Sequence, residues 1–126
     1  MSASQRNKGA CAERELFKLL SEQLGIAVAR NFDQTWKGGA DTLSVEGWAV
    51  EVKRVESLAI GSWWNQATRQ AERTKRKPIL FYRQSRRPWK AVVDLHHVLP
   101  STFPTPGNLA EIALDTACQI IRESLP

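Results

Sequence analysis

Cysteine and long apolar runs are what this sequence has least of. Its two cysteines, Cys11 and Cys118, show no metal-ligand spacing, and a single potential pair is not a disulfide framework. No apolar run approaches the roughly 20 residues of a membrane span, and the polar N-terminus lacks the apolar segment of a signal peptide. We therefore expect a cytoplasmic protein without structural disulfides, in which both cysteines are small core residues.

Internal repeats and low-complexity segments are also absent, and the composition suits one compact domain. Hydrophobic residues make up 42% of the 126 residues, which is enough for a real core and argues against global disorder. The formal net charge is +5, and the sequence pI is about 9.6. This balance favours a polyanionic partner.

Residues 38–53 are the stretch around which the chain is organised. They indicate a glycine-rich approach, one strand, a turn at Gly47 and a second strand from Trp48 to Arg54. Alternation along the second strand places its two valines on one face and both Glu51 and Lys53 on the other. A carboxylate and an ammonium group therefore lie side by side.

The turn decides which residue of the first strand faces Glu51. If the loop is 45–47, with Gly47 in the left-handed region, Asp41 falls opposite Glu51. A two-residue loop would instead turn Asp41 to the other face. Two carboxylates with Lys53 beside them would form a hard-cation site next to a cationic group. A solvated surface hairpin is the alternative interpretation, because an E-x-K pair alone is common.

Glu13 is a third candidate acid. A helix is predicted from about Ala10 to Leu24, ended by Gly25, and its apolar stripe continues one turn back from Phe17 to Glu13. An inward carboxylate is costly unless it is paired or bound to a cation. We expect Glu13 to point at the same interior as the other two acids; the alternative is a glutamate at a frayed helix end that reaches water.

A second helix is predicted from Ser62, as its N-cap, to Lys75. Gln66 lies at the edge of its inner side, as either a polar border residue or a site ligand. Trp63 and Trp64 are neighbours that cannot both face one core, which indicates apolar surface for a subunit interface. Three cations at helical spacing form either a solvated face or a track for phosphates: Arg69, Arg73 and Arg76.

The remaining segments predict further strands and a last helix. Asn108 with Glu111 resembles a capping box, which predicts a helix over residues 108–123 that is apolar over a wide arc. A basic turn carries Arg86 and Arg87 between two strands of a hairpin. The further strands are predicted at residues 26–32, 78–83 and 89–95.

These motifs together resemble the PD-(D/E)XK nuclease fold. Gly39-Ala40-Asp41 is similar to the family's metal-binding aspartate position, although many relatives have proline where Ala40 stands. Glu51-Val52-Lys53 resembles its E-x-K tripeptide. The segment from Asn7 to Leu16 is similar to the first helix of archaeal-type Holliday junction resolvases. The run from Arg54 through Trp63, Gln66 and Arg83 to Trp89 is similar to small phage-encoded resolvases. The resemblance covers residues 7–95.

The resemblance implies an α/β fold with a mixed sheet: a restriction-endonuclease-like αβββαβ core. It implies a single nuclease-like domain over residues 1–126, with a core at about 9–95 and a C-terminal helical extension at about 96–126. It also implies divalent-metal hydrolysis of DNA phosphodiesters in a bacterial or phage-infected cell.

Residue roles follow from the same resemblance. Asp41 and Glu51 would bind Mg²⁺ or Mn²⁺, with the backbone carbonyl of Val52 as a further ligand, and Glu13 would hold a metal-bound water or a second ion. Lys53 would orient the attacking water or stabilise the transition state. Cations expected to contact DNA are Lys37, Arg54, Arg69, Arg73, Arg76, Arg86 and Arg87.

The preferred substrate is the least determined part of this interpretation. A four-way junction is cut on two strands, so a resolvase-like enzyme is expected to act as a homodimer in DNA recombination. Rival interpretations are a general, flap-selective or single-strand-selective nuclease of the same fold, an inactive DNA-binding module, and a basic structural or assembly protein with surface acids. Fold alone does not choose among them.

Overall fold

The computed structural model describes residues 3–31, 40–54 and 56–126. Its elements in chain order are helix α1 (Ala3–Leu24), strand β1 (Trp48–Arg54), helix α2 (Ile60–Thr74), strands β2 (Lys77–Arg83) and β3 (Lys90–Asp94), the one-turn helix α3 (Leu95–Val98), strand β4 (Leu109–Ala113) and helix α4 (Leu114–Ser124). No helix in the described ranges is long and apolar enough to cross a membrane.

The four strands form one mixed sheet in the order β1-β2-β3-β4. Strands β1 and β2 are parallel, since α2 carries the chain back between them, whereas β3 and β4 continue antiparallel. Parallel strands require such a crossover connection. The carboxyl ends of β1 and β2 therefore lie side by side at one end of the sheet, with Lys53 paired to Tyr82 and Arg54 to Arg83.

The two faces of the sheet bury different helices. Val50, Val52 and Phe81 pack against α1 and α4 in the larger core, while Leu80 and Tyr82 pack against α2. Because side chains alternate along a strand, Glu51 and Lys53 of β1 point to the α2 side. Helix α4 closes the larger core through Cys118 and Ile121, and Gln23 of α1 donates to Asp115 at its start.

Gly47 holds the turn that was expected. Its φ is +84°, which is the left-handed region that glycine tolerates, and the N–H of Trp48 donates to the carbonyl of Val45. Thr42 forms an isolated antiparallel bridge with Val50. This is the register in which Asp41 lies opposite Glu51, although the segment before the turn is not a regular strand.

Several predicted boundaries were wrong. Residues 26–31 form no regular strand; their backbone bonds instead to the segment that holds Thr42 and Ser44. Helix α1 already begins at Ala3, and not at about Ala10 as predicted. Helix α2 begins at Ile60 and has no side-chain cap, so Ser62 is not its N-cap.

The predicted last helix is a strand followed by a shorter helix. Residues 109–113 pair with β3 as the edge strand β4, and the helix starts only at Leu114. The Asn108–Glu111 capping box is therefore not a helix start. Exposed and half-buried side chains alternate along β4, as expected for a strand with one side of its ladder unpaired within the described chain.

The apolar surface assigned to a subunit interface is largely internal. Trp64 is buried against Leu80, Tyr82 and Val92, and Trp63 packs against the same cluster with its ring centroid 6.2 Å from that of Tyr82. The apolar arc of α4 covers the protein's own core. Both features are thereby explained within one chain.

Candidate active site

Strand β1 presents a buried carboxyl group beside a lysine. Glu51 Oε1 lies 3.8 Å from Lys53 Nζ, and the Glu51 side chain is 5% exposed. The strand is buried from Trp48 to Val52, so Glu51 lies in its buried part and Lys53 lies where the burial ends. Alternation brings both to one face of the strand, as the E-x-K spacing predicted, and this is the α2 side.

Asp41 is fixed against β1 by the main chain. Its N–H donates to the carbonyl of Val50 at 2.9 Å, and its Oδ2 accepts from the N–H of Val52 at 2.7 Å. Its own carbonyl accepts from the N–H of Asn31. The Asp41 side chain thus takes the place that a backbone carbonyl would have in a strand ladder, which holds this buried carboxyl group beside Glu51.

Glu13 reaches the same place from α1. It lies toward the N-terminal part of the stripe that buries Ala12, Leu16 and Leu20, and its Oε2 lies 3.9 Å from Arg30 Nε. Its carboxyl is half-buried and close enough to Asp41 for the two groups to share a hydrogen bond. The helix, the turn segment and β1 therefore bring three acids together.

Burial raises the proton affinity of all three acids, and the charge of a neighbouring acid adds to the rise in each. Burial, then the charge of Asp41, raises the pKa of Glu13 to about 7. Burial, then the charge of Glu51, raises the pKa of Asp41 to about 7 as well, against the N–H of Val52, which lowers it. Burial also raises the pKa of Glu51, while Lys53 opposes that rise. Without a cation the cluster therefore retains protons.

The carboxylate oxygens suit a hard divalent cation, although the described side chains are not already arranged around one metal position. Glu51 Oε2 is buried and has no hydrogen-bond partner among the described residues. An orphaned carboxylate oxygen is costly and fits an oxygen-seeking ion such as Mg²⁺. In the ranges that the structure covers, no three His, Cys, Asp or Glu side chains are arranged to hold a metal ion together. Metal ligation by these acids, and by the Val52 carbonyl, stays a prediction.

Arg76 does not belong to the phosphate track. Lys75 ends α2 in the left-handed conformation, so Arg76 leaves the helical stripe, and its Nη1 donates to the carbonyls of Leu43, Val45 and Trp48. It fastens the turn segment to the sheet. A periodicity that runs past the end of the helix no longer predicts the direction of a side chain.

The other predicted DNA contacts occupy three places. Arg69 and Arg73 are exposed on α2, and Arg86 and Arg87 are exposed in the β2–β3 turn, where Arg86 has a φ of +63°. Arg54 ends β1. Lys37 lies outside the described residues. Their contacts with DNA stay predictions.

Some polar residues of the region were missed or are only partly explained. Gln66 is half-buried on α2. Gln70, one turn further along α2, has a buried Oε1 with no hydrogen-bond partner in the described chain. Its helical spacing from the apolar residues of α2 could have indicated that it faces inward. Glu15 was not singled out, yet it bonds to both Arg83 and Trp89. Both partners are distant in sequence, so no local pattern indicated this.

Comparisons with known proteins agree with this architecture. The model of a family described as "Phage putative PDDEXK endonuclease" matches residues 4–116. The fold is similar to the 1.6 Å structure of Archaeoglobus fulgidus Hjc, a Holliday junction resolvase from an archaeal hyperthermophile. The TM-score is 0.57 at 16% sequence identity, over 86% of this chain and 97% of that one. No curated protein matches the sequence significantly.

Proposed function

The chain belongs to the phage PDDEXK endonuclease family, and on that premise we propose that it is a divalent-metal-dependent DNA endonuclease that cuts branched DNA. The four-way junction is the substrate that we propose, with Mg²⁺ or Mn²⁺ as the cofactor. The observation that carries the proposal is the cluster of buried Asp41 and Glu51 with half-buried Glu13, beside Lys53, on a basic chain.

The roles of the residues follow from their positions. Asp41 and Glu51 would hold the cation, since their carboxyl groups are adjacent and one oxygen of Glu51 is unsatisfied. A bound divalent ion supplies Lewis-acid stabilisation of negative charge on the phosphate and activation of water. Lys53 places its ammonium group beside this position, where it can stabilise the extra charge of the transition state. Glu13 accepts a proton or orients water next to Asp41.

Branched DNA is favoured over plain duplex by the likeness of the fold to a Holliday junction resolvase. One small domain carries one acidic cluster in its described part. Cutting a four-way junction on two strands therefore requires two copies, and a homodimer with two-fold symmetry matches the symmetry of the junction. Exposed leucines, Leu99 and Leu109, and the open edge of β4 offer surface for such contact.

The test is to incubate the purified protein with four-way, flap, single-stranded and linear duplex DNA, with and without Mg²⁺. We expect Mg²⁺-dependent cleavage of the four-way junction to be the fastest. Equal rates on all substrates would support a general nuclease of the same fold. If the protein binds these DNAs but cleaves none of them in Mg²⁺ or Mn²⁺, the result would support an inactive DNA-binding module instead.

A further inference from the structure

Two arginines lie side by side where the parallel strands end. Arg54 of β1 is the register partner of Arg83 of β2. Each lies two residues beyond a side chain of the larger core, Val52 and Phe81 respectively. Alternation therefore directs both arginines to the α1 side of the sheet, opposite the face that carries Lys53. Two guanidinium groups thus share one corner of the molecule.

Within the described part of the chain, a carboxylate partner is found for Arg83 but not for Arg54. Arg83 Nη1 lies 2.5 Å from Glu15 Oε1, and the same oxygen accepts from Trp89 Nε1 at 2.8 Å. Arg83 Nε donates to the carbonyl of Arg87 at 3.1 Å. Glu15 therefore neutralises Arg83 and fixes its direction.

Arg54 has no corresponding partner among the described residues. Its Nε is buried and has no hydrogen-bond partner in the described part of the chain. A partly buried guanidinium without an anion is costly, and the neighbouring Arg83 adds like-charge repulsion. The two arginines and Glu15 leave the corner with one surplus positive charge, and beside it the exposed Arg87 and the carboxylate of Asp115 offset each other.

The corner borders an open groove of about 400 Å³. Arg83 and Arg87 line it together with Glu15, Pro88, Trp89 and the start of α4, where Asp115 contributes a second carboxylate. A groove with planar, fixed guanidinium donors suits a phosphodiester, because arginine pairs with phosphate oxygens through two parallel hydrogen bonds.

Resting on the proposed nuclease function, we propose that Arg54 and Arg83, with Arg87, bind one backbone phosphate of the DNA on the α1 side of the sheet. Lys53 and Arg54 are consecutive and point to opposite faces, so a strand that crosses the end of β1 meets both. The phosphate at Arg54 is then a neighbour of the scissile one. Glu15 competes with this phosphate for Arg83 and so limits the affinity.

The first test measures equilibrium binding of a labelled four-way junction in EDTA, by fluorescence anisotropy over a series of salt concentrations. Arg54→Gln should bind roughly tenfold more weakly, and its salt slope should fall by about 1. Arg122→Gln is the matched control, since it removes the same charge from α4, where Arg122 donates to the carbonyl of Gln23. An unchanged salt slope for Arg54→Gln would overturn the proposal.

Arg54→Lys separates a loss of charge from a folding defect in Arg54→Gln, because lysine keeps the positive charge and lacks only the planar donors of arginine. It should restore the salt slope while binding more weakly than wild type. A slope as low as that of Arg54→Gln, in a variant that melts like wild type, would also overturn the site.

The second test uses Glu15→Gln, with Glu22→Gln on the exposed face of the same helix as its control. Release of Arg83 should tighten junction binding severalfold and steepen the salt dependence, beyond the effect of the control. Equal effects of the two variants, or weaker binding by Glu15→Gln, would show that Glu15 does not compete with DNA. All these binding assays omit metal, so their outcome does not depend on cleavage. If the wild type binds the junction in EDTA but does not cleave it in Mg²⁺, the nuclease proposal is refuted and the phosphate site is not.

Discussion

The carboxylate of Asp41 accepts a hydrogen bond from the backbone N–H of Val52 at 2.7 Å. This bond places a side chain where a strand ladder would have a carbonyl, and it brings the carboxyl group of Asp41 next to that of Glu51. A buried N–H that lost this acceptor would be left unsatisfied. The relationship makes Asp41 both a part of the fold and the central acid of the candidate site.

Replacing Asp41 with asparagine separates these two roles. Asparagine keeps an oxygen that can accept from Val52, so Asp41→Asn should stay folded, with a melting temperature close to that of wild type. Loss of a cation ligand should lower the cleavage rate on the order of a thousandfold. A Mg²⁺-dependent junction-cleavage assay checks this, and Glu123→Gln, at an exposed position of α4, is the control. Wild-type cleavage by Asp41→Asn would remove the assignment.

The raised pKa values predict how stability changes with pH and metal. Glu13 and Asp41 have pKa values of about 7 in the folded, metal-free chain, against about 4 when unfolded. Between about pH 4 and 7 the folded chain therefore binds more protons than the unfolded one, so stability falls as the pH rises through this window.

Divalent cations should reverse that trend, because they compete with the protons. Thermal melting in EDTA and in Mg²⁺, at pH 5.5 and pH 8, checks the prediction: the stabilisation by Mg²⁺ should be larger at pH 8. Asp41→Asn should show a weaker dependence of the Mg²⁺ effect on pH. The same Mg²⁺ effect at both pH values would argue against these acids as ligands.

Local patterns predicted what local forces determine. The alternation in β1, the left-handed Gly47, the end of α1 at Gly25 and the β2–β3 hairpin follow from short-range sterics and burial. In each case sequence and structure agree to within a few residues at the element ends. The neighbouring acids of the site followed from the same turn register.

Features set by distant contacts could not be predicted. The segment Leu109–Ala113 is a strand because β3 offers an unpaired edge, and this outweighs the helix-start pattern at Asn108. Trp64 packs on β2 and β3, which no spacing within α2 reveals. The pairing of Arg54 with Arg83 likewise depends on the register of two parallel strands.

Arg76 provides a prediction about stability. Arg76→Ala removes a cation that bonds to three carbonyls of the turn segment, and we expect a loss of about 2–3 kcal/mol in the free energy of unfolding. Urea denaturation measures this. Arg69→Ala is the comparison, because its exposed position predicts a stability change within about 0.5 kcal/mol.

In DNA binding the order of the two effects should be reversed: Arg69→Ala should change the salt dependence of binding, and Arg76→Ala should not. Arg69→Ala should lower the salt slope of DNA binding by about 1, whereas Arg76→Ala, measured where it is folded, should keep the wild-type slope. A fully stable Arg76→Ala with a reduced slope would return Arg76 to the phosphate track.

Mixing active and inactive chains tests the homodimer. On a four-way junction held in a cruciform plasmid, a dimer with two active sites should cut both strands before it dissociates and linearise the plasmid. Wild type mixed with excess Asp41→Asn should form mixed dimers, each with one active site, so nicked circles should accumulate instead of linear product. Light scattering at micromolar concentration should give twice the chain mass.

The mixed-chain experiment is decisive because a monomer behaves differently. With independent monomers, excess Asp41→Asn competes for the junction and slows both cuts without changing their coupling. The ratio of nicked to linear product would then be the same as for dilute wild type alone. That outcome, together with a monomer mass and equal cleavage of linear duplex, would refute the resolvase proposal. The chain would remain a nuclease, because its family membership and its cluster of neighbouring acids do not depend on the number of subunits.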